Sequence, residues 1–361
     1  MSALPPLYAR WMETALLGAI PRETKATCDK CAMCALSDEP GNGASFFNPE
    51  AKCCTYLPEL YNFLAGAVLA DEDPATEKGR VSVEERLEAK LEVTPLGLGQ
   101  LPSYNLLYDH SLHAFGQSRE LRCPHYIEDG GGSCGIWRHR NAVCATWFCK
   151  HERGATGLKF WRTLLRLLTQ IEKELSRWCV LEIGIETRAL ELLLLNTPTN
   201  RRQTRLSAKQ IDHVADLKSY RQLWGQWMGQ ERKFYQECAR LVSNLSWEDT
   251  LHICGPEVLL LTRLTREAYD RLTLNRLPEF VRLKPLQIVE AGTDWVKVRT
   301  YSGHDPLKMP RKLFEFLPFL KGQLTTEALQ SLANEKGLRL TDDLIQKMVD
   351  FEVLTAGTEA E

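Results

Sequence analysis

Long apolar runs are missing from this chain, and so is an excess of charge of either sign. No stretch approaches the roughly 20 apolar residues that a membrane-spanning helix needs; the leucine run Leu192 to Leu195 is short, so no membrane partner is expected. Lysine and arginine number 45 against 47 aspartates and glutamates, a net charge of -2. Nucleic-acid binders usually carry a basic surplus against phosphate, which makes nucleic acid an unlikely partner by composition. A secretory signal is also lacking: MSALPPLYARWMETALLGAIPRETK is interrupted by prolines and holds Arg10 and Glu13 within its apolar part. The cytoplasm is therefore the expected compartment, and thiols there stay reduced. Two enzyme signatures are absent as well, the glycine-rich S-adenosylmethionine loop of the strand-loop-helix type and a lone C-x3-C-x2-C radical motif.

What is present in quantity is cysteine, twelve in 361 residues, and nine of them precede residue 150. A first group, TCDKCAMC, places Cys28, Cys31 and Cys34 in two successive C-x2-C steps, which lets a short loop turn several sulfurs toward one centre. Cys53 and Cys54 form an adjacent pair in KCCTY. A third group, CPHYIEDGGGSCGIWRHRNAVCATWFCKH, spaces Cys123, Cys134, Cys144 and Cys149 as C-x10-C-x9-C-x4-C. Its Gly130, Gly131, Gly132 and Gly135 allow the backbone to wrap closely around a bulky centre. Thiolates held together repel and require a cation, so this density of cysteine points to metal. Two cubane clusters with four thiolates each would use eight of the nine, which makes one or two 4Fe-4S iron-sulfur clusters the expected cofactor. Zinc is the alternative, because four-thiolate structural zinc sites use similar spacings. Disulfides fit the expected compartment less well. Cys179, Cys238 and Cys254, scattered singly through helical sequence, read as small apolar core residues. His125, His139 and His151 lie in or next to the third group, where imidazole can replace a thiolate, and Arg138 and Arg140 flank the same loop as cations against a negative centre.

The third group, with the upstream cysteine pair, resembles the bacterial zinc- or iron-chelating cysteine-cluster family (YkgJ-like). That family's pattern of C-P, then C-x-I-(Y/W)-x-x-R-x-x-x-C, then a closing cysteine beside phenylalanine is matched by Cys123, Pro124, Cys134, Ile136, Trp137, Arg140, Cys144, Phe148 and Cys149. Upstream the chain departs from it, since 18 residues separate Cys34 from Cys53. The resemblance implies metal chelation. Through a relative, the flagellin lysine methylase, it also implies methyl transfer.

Length alone predicts two or three domains. The expected architecture is mostly α: a cysteine-rich metal domain over 1–156, a helical region over 157–275 and a small winged-helix (α+β) domain over 276–361. In the first, Leu57, Leu60, Leu64 and Val68 recur at helical spacing, and the polar stretch from Asp71 to Pro102 reads as a surface insertion carrying one short amphipathic helix. In the second, helices are expected over 158–184, 208–243 and 247–272, and the basic run from Thr199 to Arg205 reads as a solvated loop. In the third, EFVRLKPLQIVEAGTDWVKVRTYSG alternates around Ala291, Gly292 and Thr293 as a β-hairpin, and three helices follow, with Thr325 or Thr326 and Thr341 as caps. This last region is similar to the peptide-chaperone winged helix of pyrroloquinoline-quinone maturation (PqqD-like). That similarity implies a peptide or protein partner docking as an added strand on the hairpin edge at Val296 to Thr300.

Three functions are compatible with this pattern: an iron-sulfur redox or peptide-modifying enzyme, a cluster-based sensor, and a zinc-binding structural or metal-delivery protein. The boundary drawn around the nine cysteines makes a direct prediction. Replacing Cys179 or Cys254 by Ser leaves the metal content of the purified protein unchanged, and a loss of metal in either variant would place the boundary wrongly.

Overall fold

The computed structural model describes residues 4–28, 31–34, 46–111, 114–195, 212, 217–274, 277–337 and 339–357. The protein is mostly helical, with small antiparallel sheets. By contact the chain forms two compact units, neither of them continuous in sequence. The first contains residues 1–22, 27–147 and 165–262; the second contains 23–26, 148–164 and 263–361. The 30-residue helix Gly154–Ile183 contributes to both. The run from Thr199 to Arg205 lies outside the described residues.

In the first unit, the helix Pro6–Leu16 begins with proline, whose missing N–H costs nothing there, and buries Tyr8, Trp11, Met12 and Ala15 at helical spacing. The indole of Trp11 donates to the carbonyl of Leu245 at 3.1 Å. Leu57, Leu60, Leu64 and Val68 are all buried, but the helix starts only at Asn62 and ends at Ala70. Its main partner is the helix Glu231–Ser243, and the two backbones approach so closely that a Cβ on Gly66 would lie 1.7 Å from the carbonyl oxygen of Tyr235. Asn62 fixes the start of its helix, its amide donating to the carbonyls of Pro95 at 3.0 Å and Ser176 at 2.9 Å.

Two long helical stretches are subdivided by glycine. The one expected to end at 243 contains separate helices Leu217–Trp224 and Glu231–Ser243, because Gly225 and Gly229 adopt φ of 50° and 80°. The one expected over 247–272 breaks at Gly255, φ 77°, into Trp247–Cys254 and Pro256–Thr273. Cys179, Cys238 and Cys254 are buried, and the Cys179 thiol faces the Cys238 carbonyl at 3.8 Å.

In the second unit, the strand Phe280–Leu283 lies between Lys321–Leu324 and Leu354–Gly357, all antiparallel. The expected hairpin is there, Ile288–Ala291 pairing with Trp295–Val298, and a third strand, Leu307–Pro310, pairs on the other side. Trp295–Val298 is thus a central strand. The docking edge expected at Val296 to Thr300 is already occupied by main-chain bonds over 296–298, and the open edge of the hairpin is Ile288–Ala291. Val281, Val296, Val298, Met309, Ile345 and Met348 pack into one core beneath both sheets. Of the expected helix caps, Thr341 accepts the Leu344 N–H at 3.3 Å. Thr325 instead turns its hydroxyl to the Pro278 carbonyl at 2.6 Å, tying its helix to the strand before it, and Leu324 occupies the cap position.

Glu172 lies buried in the first unit. It accepts from the hydroxyl of Tyr8 and from the Ala142 N–H, the latter at 2.6 Å. Burial outweighs these two donors and raises its carboxyl to about 8. A carboxyl raised on folding stabilises the protein fully below its unfolded pKa, and the contribution disappears as pH rises through the folded value. Wild-type stability should therefore fall between about pH 5 and pH 8 by up to a few kcal/mol relative to Glu172→Gln, whose amide oxygen keeps both bonds. Denaturant titrations at several pH values measure this, and parallel curves for the two proteins would refute it.

Candidate metal centre

Four short stretches of the first unit bring cysteines together. In the first, the Cys34 N–H donates to the Cys31 carbonyl at 3.1 Å, the turn expected of C-x2-C, and the Phe47 N–H fastens it through the Met33 carbonyl at 3.0 Å. In the second, Lys52 adopts φ 53° immediately before Cys53 and Cys54. The third is joined to the second by its backbone, the Cys123 N–H donating to the Cys54 carbonyl at 2.7 Å. The fourth begins in a hairpin, Tyr126–Ile127 with Ser133–Cys134, where Tyr126 stands opposite Cys134 and the turn passes through Gly131 and Gly132 at φ of 88° and 84°. It continues to the short helix Ala142–Thr146, capped by Asn141, whose side chain accepts the Cys144 N–H at 3.0 Å.

Eight of the nine expected ligands, Cys28, Cys31, Cys34, Cys53, Cys54, Cys123, Cys134 and Cys144, therefore fall in the first unit; Cys149 belongs to the second. None of the twelve cysteines is in a disulfide. The sulfurs influence one another across segment boundaries. Burial raises Cys28 to about 11, reinforced by Cys53, and Cys34 to about 12, reinforced by Cys31. A hydrogen bond with Cys54 and then burial raise Cys53. Burial followed by repulsion from Cys134 raises Cys123 and Cys144, and burial raises Cys134 to about 11. Burial, with repulsion from neighbouring sulfurs, keeps these groups protonated as thiols.

Cations stand among them. Arg140 is 8% exposed; its Nε donates to the Trp137 carbonyl at 3.1 Å, its Nη1 to the Cys144 carbonyl at 3.2 Å, and its guanidinium lies 3.4 Å from the Trp137 ring centre. Its charge favours the ionised forms of Cys134, Cys144, Cys28 and Cys53. Arg138, by contrast, is exposed and pairs with Asp73 at 2.8 Å. Lys52, 6% exposed, donates from Nζ to the carbonyls of Cys28, Gly131 and Gly132, stitching the first stretch to the glycine turn. Sequence reasoning passed over Lys52; its only signal was a lysine directly preceding a cysteine pair. A cavity of about 380 Å³ opens beside this region, lined by Cys31, Cys34, Lys52, Arg122 and Tyr126 among others.

The stretch from Asp71 to Pro102, expected as a surface insertion, is built into the site. Its helix, Glu77–Ala89, buries Gly79, Ser82, Val83 and Arg86. Gly79 lies against Gly135 so tightly that a Cβ on Gly79 would be 2.1 Å from the Gly135 carbonyl oxygen. One turn on, the Ser82 hydroxyl donates to the Gly79 carbonyl at 2.6 Å and meets His125 Nδ1 at 2.7 Å. His125 Nε2 is buried and has no hydrogen-bond partner among the described residues. The other two histidines are engaged elsewhere, His139 with Asp71 at 2.9 Å and His151, in the second unit, with the Tyr301 hydroxyl at 3.3 Å.

Among the described residues, no three His, Cys, Asp or Glu side chains are arranged to hold a single metal ion between them. What the region does hold is a set of thiols raised by burial and by one another, with two buried cations, Lys52 and Arg140, alongside. No family model, curated protein or solved structure matches this chain.

The Gly79 contact makes a prediction whose sign runs against helix propensity. In an exposed helix, Gly→Ala stabilises by about 1 kcal/mol. Here Gly79→Ala should destabilise by about 1–3 kcal/mol, because the added methyl meets backbone that cannot yield. A rise in thermal midpoint for this variant would contradict the close helix–hairpin contact.

Proposed function

We propose that the first unit binds metal through its cysteines as one or two iron-sulfur clusters, of the 4Fe-4S type, and that the protein is a redox or peptide-modifying component built around them. One observation carries the reading: eight thiols come from four separated stretches, and burial, with neighbouring thiols adding to it, raises Cys28, Cys34, Cys53, Cys123, Cys134 and Cys144 beside a buried arginine. Eight thiolates suit two four-ligand centres. Such a cluster, when bound, supplies one-electron transfer. The chain's own residues supply the rest. Arg140 offsets thiolate charge, Lys52 holds the Cys28 loop to the glycine turn, and Asn141 sets the direction of Cys144.

For the second unit we propose a winged-helix-like module that takes a peptide or protein segment. The support is its pattern of small antiparallel sheets with three short helices, and the open hairpin edge at Ile288–Ala291, where Ile288 and Val289 are exposed. Among the described residues no helix is long and apolar enough to cross a membrane.

The deciding measurement is iron, zinc and acid-labile sulfide on protein purified without oxygen. About four or eight irons per chain with matching sulfide are expected, together with loss of that iron in Cys134→Ser and Cys144→Ser. Zinc without sulfide would overturn the cluster in favour of a structural scaffold, and full metal in either serine variant would remove that cysteine from the ligand set.

A further inference from the structure

The three-stranded sheet of the second unit carries an unanswered charge on its outward face. Val296, Val298 and Met309 turn into the core, so by strand alternation Glu290, Trp295, Lys297, Lys308 and Pro310 turn outward. Glu290 stands opposite Lys297 and Lys297 opposite Lys308, one residue from each strand in a single row. Glu290 answers Lys297 at 2.7 Å. Lys308 is exposed and makes no ion pair among the described residues. Like charges directly opposite one another destabilise a sheet, and here they meet in the closer kind of pair. The Arg311 N–H donates to the Asp294 carbonyl and the Gly292 N–H to the Trp295 carbonyl, both at 2.9 Å, which by alternation makes Lys297 and Lys308 a pair without main-chain bonds between them. Both ammoniums lie over the Trp295 ring, Lys308 at 4.5 Å and Lys297 at 5.5 Å from its centre. Arg299, the next outward residue, is also exposed and without an ion pair among the described residues.

Leu307–Pro310 is the other edge of this sheet. The same alternation sends the main-chain bonds of Leu307 and Met309 to Trp295–Val298 and turns the N–H and carbonyl of Lys308 away from it. One residue therefore offers an incoming strand two main-chain bonds and an uncompensated positive charge. Pro310, lacking an N–H, limits the pairing to a short stretch. We infer that this edge takes an extended acidic peptide segment, which places a glutamate or aspartate opposite Lys308 and completes the row begun by Glu290. The inference rests on the reading of the second unit as a peptide-taking module, and adds the partner's chemistry and the edge it uses; the cysteine centre plays no part in it. A nucleic acid fits less well, because the Trp295 ring is taken up by the two ammoniums and lies against Gly292, so a stacking base would have to displace them.

The experiment titrates the full-length protein against short fluorescent peptides in which valine alternates with glutamate, glutamine or lysine, read by fluorescence anisotropy at low salt. The glutamate peptide is expected to bind most tightly, to weaken as salt is raised, and to lose about tenfold or more in affinity for Lys308→Glu. Lys308→Arg should bind it as wild type does. So should Arg263→Glu, the same charge change at an exposed position of the helix Pro256–Thr273. The glutamate peptide N-methylated at its glutamates cannot pair with the Lys308 main chain and should not bind. Undiminished binding to Lys308→Glu, an equal loss in Arg263→Glu, or retained binding of the N-methylated peptide overturns the inference. Equal affinity for the three peptides also overturns it, while leaving a peptide-taking module with no preference for acid. An oligothymidylate that displaces the glutamate peptide and binds more tightly overturns it in favour of nucleic acid. Failure of all three peptides to bind wild type overturns the inference and the peptide-taking reading together.

Discussion

Burying a charged side chain costs several kcal/mol unless something in the protein replaces water around it, and among the described residues the first unit buries four: Lys52, Arg86, Arg140 and Glu172. How each is answered explains much of the local structure. Lys52 is answered by three carbonyls, which requires the Cys28 loop and the glycine turn to converge on one nitrogen. Arg140 is answered by two carbonyls, an indole face and nearby sulfurs. Glu172 is answered by becoming neutral and by collecting donors from the first helix and from the start of Ala142–Thr146. Polar burial of this kind is a commitment to one arrangement, because a small displacement leaves a donor or acceptor stranded.

Glycine makes the convergence sterically feasible. Gly79 against Gly135 and Gly66 against Tyr235 are places where backbone meets backbone, and both join elements distant in sequence. The first brings a helix onto the cysteine hairpin, and the second locks a helix of the amino-terminal part to one from the middle of the chain. The cysteine segments themselves have little regular structure, so their geometry is inherited from these neighbours.

Much of the secondary structure was legible because its causes are local. The hairpin around Gly292 follows from alternation, the Thr341 cap from a hydroxyl three residues ahead of an orphan N–H, and the long helix from 154 to 183 from its periodicity. The cysteine grouping was legible too, since spacing survives in the sequence whatever the fold. What escaped depended on contacts between distant residues. A polar stretch with a short helix looks like a surface excursion until Gly79 and Ser82 are seen against residues some fifty positions away. The third strand that covers Val296 to Val298, and the pull of Pro278 on Thr325, left no local trace. The glycines at 225, 229 and 255 were visible, but periodicity on either side of them masked their role as helix breaks.

The interleaving of the two units sets an order of events during synthesis. Cys28 through Cys144 leave the ribosome early, yet the groups that enclose their surroundings come much later: Glu172 and Ser176 on the long helix, then Tyr235, whose hydroxyl donates to the Thr94 carbonyl at 2.6 Å. The first unit extends to residue 262, so its core closes only after about a hundred more residues have been added beyond the last of these cysteines. For that interval the nascent chain presents eight uncovered thiols. Whatever fills or protects them has its natural opportunity then, before the helices arrive.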